Sequence, residues 1–220
     1  MTIPKIIHHV YPGNDPFKEK YHEFRKSWMA HNLDWTFLFW RIDNFPLQAN
    51  PKILSAIKDL NYSITPKSDF MRFEVVRLFG GIYVDTDMEC LKSFDDFLNH
   101  DFFSGYQDSD GTVCPSLFGA IPNHPILENM VNISIENAKR CGYGMTNAEP
   151  QNVTSVMPFT KLLEKYTNDK NVIIYDKHYF YNVGYWERHR LNESHPDAYA
   201  KHYWTGKDPD GWTNVTTFVN

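Results

Sequence analysis

The chain has no run of lysines and arginines, and its formal net charge is -5. A protein that grips nucleic acid by neutralising phosphates needs a basic face, so that class is excluded. Cysteine is scarce: Cys90, Cys114 and Cys141 are odd in number and far apart. They form neither a disulfide framework nor a zinc knuckle, which suits a reducing compartment. No apolar stretch approaches the 18 residues of a membrane span, and "MTIPKIIHHVYPG" lacks the basic and apolar regions of a signal peptide. The expectation is a cytoplasmic chain. Five N-x-S/T sequons (Asn61, Asn132, Asn152, Asn192, Asn214) then follow from a composition rich in Asn, Ser and Thr. Internal repeats and low-complexity tracts are also missing.

What is present is ordinary globular composition with an aromatic surplus: 42% hydrophobic, 22% charged and 16% Phe, Trp and Tyr. This length supports one well-buried domain over 1–220, with aromatic surfaces available for stacking. "PKIIHHVY" reads as a buried strand. Phe17, Tyr21, Phe24 and Trp28 then recur at helical spacing. "WTFLFWRI" is a second strand. "PKILSAIKDL" is a helix striped by Ile53, Leu54, Ile57 and Leu60. The punctuation of "TPKSDFMRFEVVRLFGG" predicts a helix over 66–79, capped by Thr65, opened by Pro66 and stopped by Gly80. "IYV" follows as a short buried strand.

In the second half, "DFFSGYQ" and "TVCPSLFGAI" read as strands joined by the turn "DSDG". "HPILENMVNISIENAKR" is a helix closed by "CGYG", and "VMPFTKLLEKY" is another. "NVIIYDKHYFY" and "AYAKHYWTG" are the last strands before a Gly/Pro/Asp-rich tail. Alternation first and antiparallel character later give an α/β, Rossmann-like domain with a mixed, mainly parallel sheet flanked by helices.

Asp85 and Asp87 stand at the C-terminal end of "IYV", where open α/β sheets place ligands. In an extended segment residues i and i+2 point the same way, so both carboxylates address one partner. Two like charges that close call for a cation, and hard oxygen ligands suit Mg²⁺ or Mn²⁺ shared with a substrate diphosphate. "DSDG" at 108–111 and "DPDG" at 208–211 have Gly at the turn position and read as plain turns. Asp69 and Arg72, three apart, share a helix face beside that strand.

"IPKIIHHVYPG", "KSDFMRFEVVRLFGGIYVDTDMECL" and "HYWTG" together resemble the D-x-D sugar-transferase group that includes the family 32 glycosyltransferases. They are more distantly similar to the glucosyltransferase domains of clostridial toxins. The resemblance covers the first 100 residues well and the rest in outline. It implies a GT-A fold, a nucleotide-sugar donor with UDP favoured, a divalent metal (Mn²⁺ or Mg²⁺) and a hexosyltransferase that retains anomeric configuration.

On that resemblance 1–105 would bind the donor, while 106–220 would supply the acceptor side and a closing element. Asp69 and Arg72 would hold donor-sugar hydroxyls and Asp85 the ribose and sugar. Asp87 would ligate the metal. The Val10 backbone would read the base and Tyr11, where relatives carry tryptophan, would stack on it. His202 would be a further metal or phosphate ligand, and Trp204 would cover the donor. Gln151 and Asn152 would reach sugar hydroxyls. An inverting reaction would instead need a base, with Asp108, Asp110 and Glu149 as candidates. His8 and His9 receive no metal role; one of them is expected to face the core with a hydrogen-bond partner.

The implied partners are the donor and a glycan, polysaccharide or lipid-linked acceptor, with membrane contact at the cytosolic face. Two other functions compete. A haloacid-dehalogenase-type Mg²⁺ phosphatase also places D-x-D after a strand, but Glu89 stands where it needs Thr or Val. A non-catalytic nucleotide-sugar binder would share the fold without the reaction.

Overall fold

The computed structural model describes residues 2–59, 61–141 and 150–205, without the side chains of 141, 150 and 151. Its centre is a six-stranded sheet. In spatial order the strands are β2 (Thr36–Trp40), β1 (Ile6–Val10), β3 (Gly81–Val84), β6 (Val113–Ala120), β5 (Phe102–Tyr106) and β7 (Val172–Tyr175). The pairs β1–β2, β1–β3 and β5–β7 are parallel, and β6 runs antiparallel to both its neighbours. The sheet is therefore mixed and mainly parallel, as expected, and covered on both faces.

Covering both faces explains why the strands read as continuous apolar runs. In β3, Tyr83 points into a core shared with α2 (Pro51–Lys58), α3 (Ile64–Phe79), α4 (Pro125–Cys141) and α6 (Val156–Leu163). Ile82 and Val84 point into the opposite core with Trp28 of α1 (Glu19–His31), Phe94, Phe97 and Phe180. Tyr21, Phe24 and Trp28 are the buried stripe of α1. Phe17 precedes that helix and packs edge-on against Tyr11 and Phe39. Leu60 of the expected α2 stripe lies outside the described residues.

The helix that presents Asp69 and Arg72 begins earlier than expected. Ser63 is its cap residue, without a side-chain cap bond, and Thr65 and Pro66 lie inside the first turn. A proline is tolerated there because first-turn N–H groups have no helical acceptor. The stop at Gly80 is as expected: φ is 64°, and its N–H closes onto Val76 O at 2.8 Å. Gly81 has φ 95°, and a Cβ there would stand 2.6 Å from Ile6 O. The glycine pair thus lets the chain reverse into β3 hard against β1.

Three expectations change. "DTD" is a tight turn, closed by Met88 N donating to Asp85 O at 3.2 Å, where an extended segment was expected. The strand expected over 171–181 stops at Tyr175, because the Asp176 carboxylate accepts from His178 N and starts a 3-10 turn, Lys177–Tyr179. The last strand shortens to β8 (Ala200–His202) and leaves the main sheet to pair antiparallel with β4 (Met88–Cys90). "CGYG" and the tail from 206 lie largely or wholly outside the described residues. No helix among those described is long and apolar enough to cross a membrane.

Candidate active site

Two consequences of the D-x-D turn build the site. At β3's end Asp85 N still donates to Ser116 O at 2.8 Å, which fixes Asp85 at the sheet edge. The turn then feeds β4, whose register sets Met88 against His202 and brings the C-terminal segment over Asp87. Tyr203 N donates to Asp87 O at 3.0 Å. A cleft of about 280 Å³ opens there, lined by Val10, Tyr11, Asp69, Arg72, Asp85, Asp87, His202 and Trp204 among others.

Arg72 is the hub of one wall. Its guanidinium lies 3.2 Å from Asp69 Oδ1 and 3.3 Å from Asp85 Oδ1, donates to Pro115 O at 3.0 Å, and sits over the Tyr83 ring. Burial disfavours its charge, but Asp85, Tyr83 and Asp69 outweigh this and raise its pKa. Asp69 is 1% exposed, and burial pushes its carboxyl up to about 6 against the opposing pull of Arg72 and of Thr154, whose Oγ1 donates to Oδ2 at 2.7 Å. The Tyr83 hydroxyl donates to Asp85 Oδ1. These contacts hold two carboxylates and a guanidinium in one orientation.

The other wall centres on Asp87. Thr205 donates to Oδ2 through its N–H at 2.7 Å and its hydroxyl at 2.9 Å, and His202 Nε2 lies 3.1 Å from Oδ1. Burial alone would push this carboxyl up; His202 and Thr205 prevail and hold it at about 2. Asp85, Asp87 and His202 each bring a ligand atom within 4.8 Å of the others. Two carboxylates and an imidazole are a fitting donor set for a divalent cation, and buried His202 Nδ1 has no partner among the described residues. The His202 ring stacks on Trp204 at 3.9 Å, and Trp204 Nε1 donates to Val183 O at 2.8 Å. Trp204 is 5% exposed and lines the cleft while packed among these neighbours.

Tyr11 is partly buried, with the Arg41 guanidinium 5.5 Å from its ring centroid. Asn152 is a correction: it is exposed and lines a separate groove with Met157 and Lys161, because the short helix α5 (Pro150–Val153) turns it outward. Thr154 and Ser155 occupy the cleft side instead. The Gln151 side chain lies outside the described residues, as does Glu149. The Asp110 carboxylate accepts from Thr112 N at 2.9 Å and serves its turn.

His8 and His9 are both buried and hydrogen-bonded, where one was expected. Trp40 Nε1 donates to His8 Nδ1, so His8 is neutral and donates from Nε2 to Gly80 O. His9 Nδ1 donates to Val84 O. Burial lowers both to about 4. Tyr83 was findable by strand alternation with Asp85, and Thr205 lies three residues past His202. Thr154 had only a polar loop to announce it.

Residues 18–104 match the family described as "Glycosyltransferase sugar-binding region containing DXD motif". Mannosyl phosphorylinositol ceramide synthase CSH1 of Saccharomyces cerevisiae is 29% identical over 144 residues, 64% of this chain and 37% of that protein. Uncharacterized glycosyltransferase L373 of Acanthamoeba polyphaga mimivirus is 32% identical over 135 residues, 57% of this chain and 53% of the relative. The chain thus spans between about a third and a half of these relatives. Among solved structures, the PaToxG glycosyltransferase superposes with a TM-score of 0.59 at 16% identity, covering 76% of this chain and 71% of that one. That likeness establishes the GT-A fold. The sequence match sets aside the phosphatase alternative.

Proposed function

From its place in the D-x-D sugar-transferase group, we propose that this chain moves a hexosyl group from a nucleoside diphosphate sugar to a hydroxyl of a saccharide or lipid-linked acceptor. The observation that carries the reading is the convergence of the Asp69–Arg72–Asp85 network and the Asp87–His202 pair on one cleft. Each half alone is a common structural device. Together they offer a fixed hydroxyl-binding wall and a cation-binding wall a few ångströms apart.

In this reading Asp69 and Arg72 bind hydroxyls of the donor hexose, and Asp85 bridges its ribose and sugar. Tyr11 stacks on the base, with the Val10 backbone at its edge. Asp85, Asp87 and His202 would hold Mn²⁺ or Mg²⁺, which when bound supplies Lewis-acid neutralisation of the leaving diphosphate. Trp204 and Thr205 exclude water from the reacting centre. The carboxylates that line the cleft among the described residues are all engaged with Arg72, Tyr83, Thr154, His202 or Thr205. That favours retention, with the acceptor proton passing to the leaving phosphate oxygen rather than to a protein base. Relatives named as inositol phosphoceramide mannosyltransferases support a lipid-linked acceptor.

The test is release of nucleoside diphosphate from UDP-glucose, UDP-galactose and GDP-mannose with Mn²⁺ present. Slow donor hydrolysis that disappears with EDTA and in Asp87→Ala is expected. Absence of binding and turnover for every donor overturns the reading.

A further inference from the structure

Two aromatic contacts away from the cleft stands an indole that packing does not explain. Trp186 is 88% exposed, while Trp28, Trp35 and Trp204 are buried. It belongs to a 3-10 turn, Tyr185–Arg190, and its ring meets Tyr185 edge-on at 4.8 Å. Tyr185 in turn meets Trp204 at 6.5 Å, and Trp204 lines the donor cleft. An unbroken line of aromatic contacts therefore runs from the cleft to the surface.

The turn is anchored from behind. Val183 O accepts from Trp204 Nε1, and Gly184 N donates to Glu187 Oε2 at 3.2 Å. A Cβ on Gly184 would lie 3.5 Å from Asp108 Oδ1, so this backbone rests directly against Asp108. Asp108 Oδ2 accepts from Gln107 Nε2 at 3.2 Å, and Gln107 lines the cleft. The turn that carries Trp186 thus rests against Asp108, whose neighbour Gln107 lines the cleft.

We propose that Trp186, with Gln107 and Asp108, forms the subsite for the acceptor's saccharide ring. The apolar C–H face of a pyranose covers the indole, and its hydroxyls reach the amide and carboxylate. An aromatic face edged by polar partners matches a ring that is apolar on its flat sides and polar around its rim. The charges around the turn balance, Lys177, Arg188 and Arg190 against Asp108, Glu187 and Glu193, so no basic excess marks it as a contact for an anionic membrane. The proposal rests on the transferase reading, because it assigns the acceptor half of that reaction.

The test uses the full chain with Mn²⁺ and UDP, screened on a glycan array, followed by titration of the best-retained glycan. Retention of at least one glycan is expected, weakened about tenfold in Trp186→Ala and largely kept in Trp186→Phe. Affinity for the nucleotide sugar, titrated separately, should stay within about twofold in both variants, since Trp186 lies outside the donor cleft. The subsite is overturned if no glycan is retained or if Trp186→Ala binds like the native chain. It is also overturned if the substitution abolishes only binding to phosphatidylserine vesicles. Failure of the native chain to bind any nucleotide sugar instead sinks the transferase reading, and glycan binding through Trp186 would then survive as a saccharide site without transfer.

Discussion

Thr154 Oγ1 donates to Asp69 Oδ2 over 2.7 Å across 85 residues of chain, tying the corner before α6 to the helix that carries Arg72. The hydroxyl stabilises a carboxylate that burial would otherwise neutralise. Replacing it with an isosteric methyl should leave the fold in place and raise the pKa of Asp69 above about 6. In Thr154→Val the acid limb of donor hydrolysis should therefore move up by about one pH unit, the equivalent of one ordinary hydrogen bond. An unmoved limb in a pH–rate profile would detach Asp69 from donor binding.

The cation wall makes a separate prediction. Mn²⁺ should raise the melting temperature of the native chain with concentration, and the rise should shrink sharply in His202→Ala and Asp87→Asn. Donor hydrolysis should fall on the order of a hundredfold or more in either variant, given several kcal/mol of charge stabilisation from a bound divalent ion. Calorimetric titration of Mn²⁺ into each variant checks this directly; undiminished affinity in both refutes the assignment.

Acid stability follows from the two buried histidines. Both are held near 4, below the ordinary 6.5, so the unfolded chain binds more protons than the folded one between those values. Stability is therefore present above pH 6.5 and is lost as pH falls towards 4. Each histidine should withdraw about 2 kcal/mol between pH 7 and pH 5. Asp69 opposes this, since its raised pKa makes the folded state the better proton binder below about 6. Urea denaturation at the two pH values should show a net loss, reduced in His8→Gln, which can still accept from Trp40 and donate to Gly80.

Gly81→Ala tests the junction into β3. The new Cβ would meet Ile6 O at 2.6 Å with φ at 95°, so both sterics and backbone conformation oppose it. A loss of about 2–4 kcal/mol is expected from overpacking and strain together, measured by denaturant titration. A change below about 0.5 kcal/mol would mean that β1 and β3 separate freely.

The sequence made the Asp69–Arg72–Asp85 wall of the cleft readable because its signals are local. Gly80, "IYV", Asp85 and the Asp69/Arg72 spacing each report on neighbours a few residues away. Thr154 was missed in favour of Asn152 because which residue of a four-residue helix faces inward depends on how α5 docks, and no periodicity builds up over one turn. The D-x-D was read as extended because β4 takes its direction from β8, a partner more than a hundred residues downstream. The 3-10 turn at Lys177 was hidden because aromatic residues resume at Tyr179 beyond the polar residues 176–178, while one side-chain bond from Asp176 ends the strand at Tyr175.

The pairing of β4 with β8 also sets a timetable. Asp85 and Asp87 leave the ribosome long before His202 and Thr205, so a nascent chain that stops short of β8 lacks one of the three proposed cation ligands and the two donors that hold Asp87. Competence to bind the cation therefore arrives only with the last pairing of the fold. A chain stalled or clipped before that strand retains all six strands of the central sheet but not His202, so the proposed cation site reports on whether β8 has been made and paired.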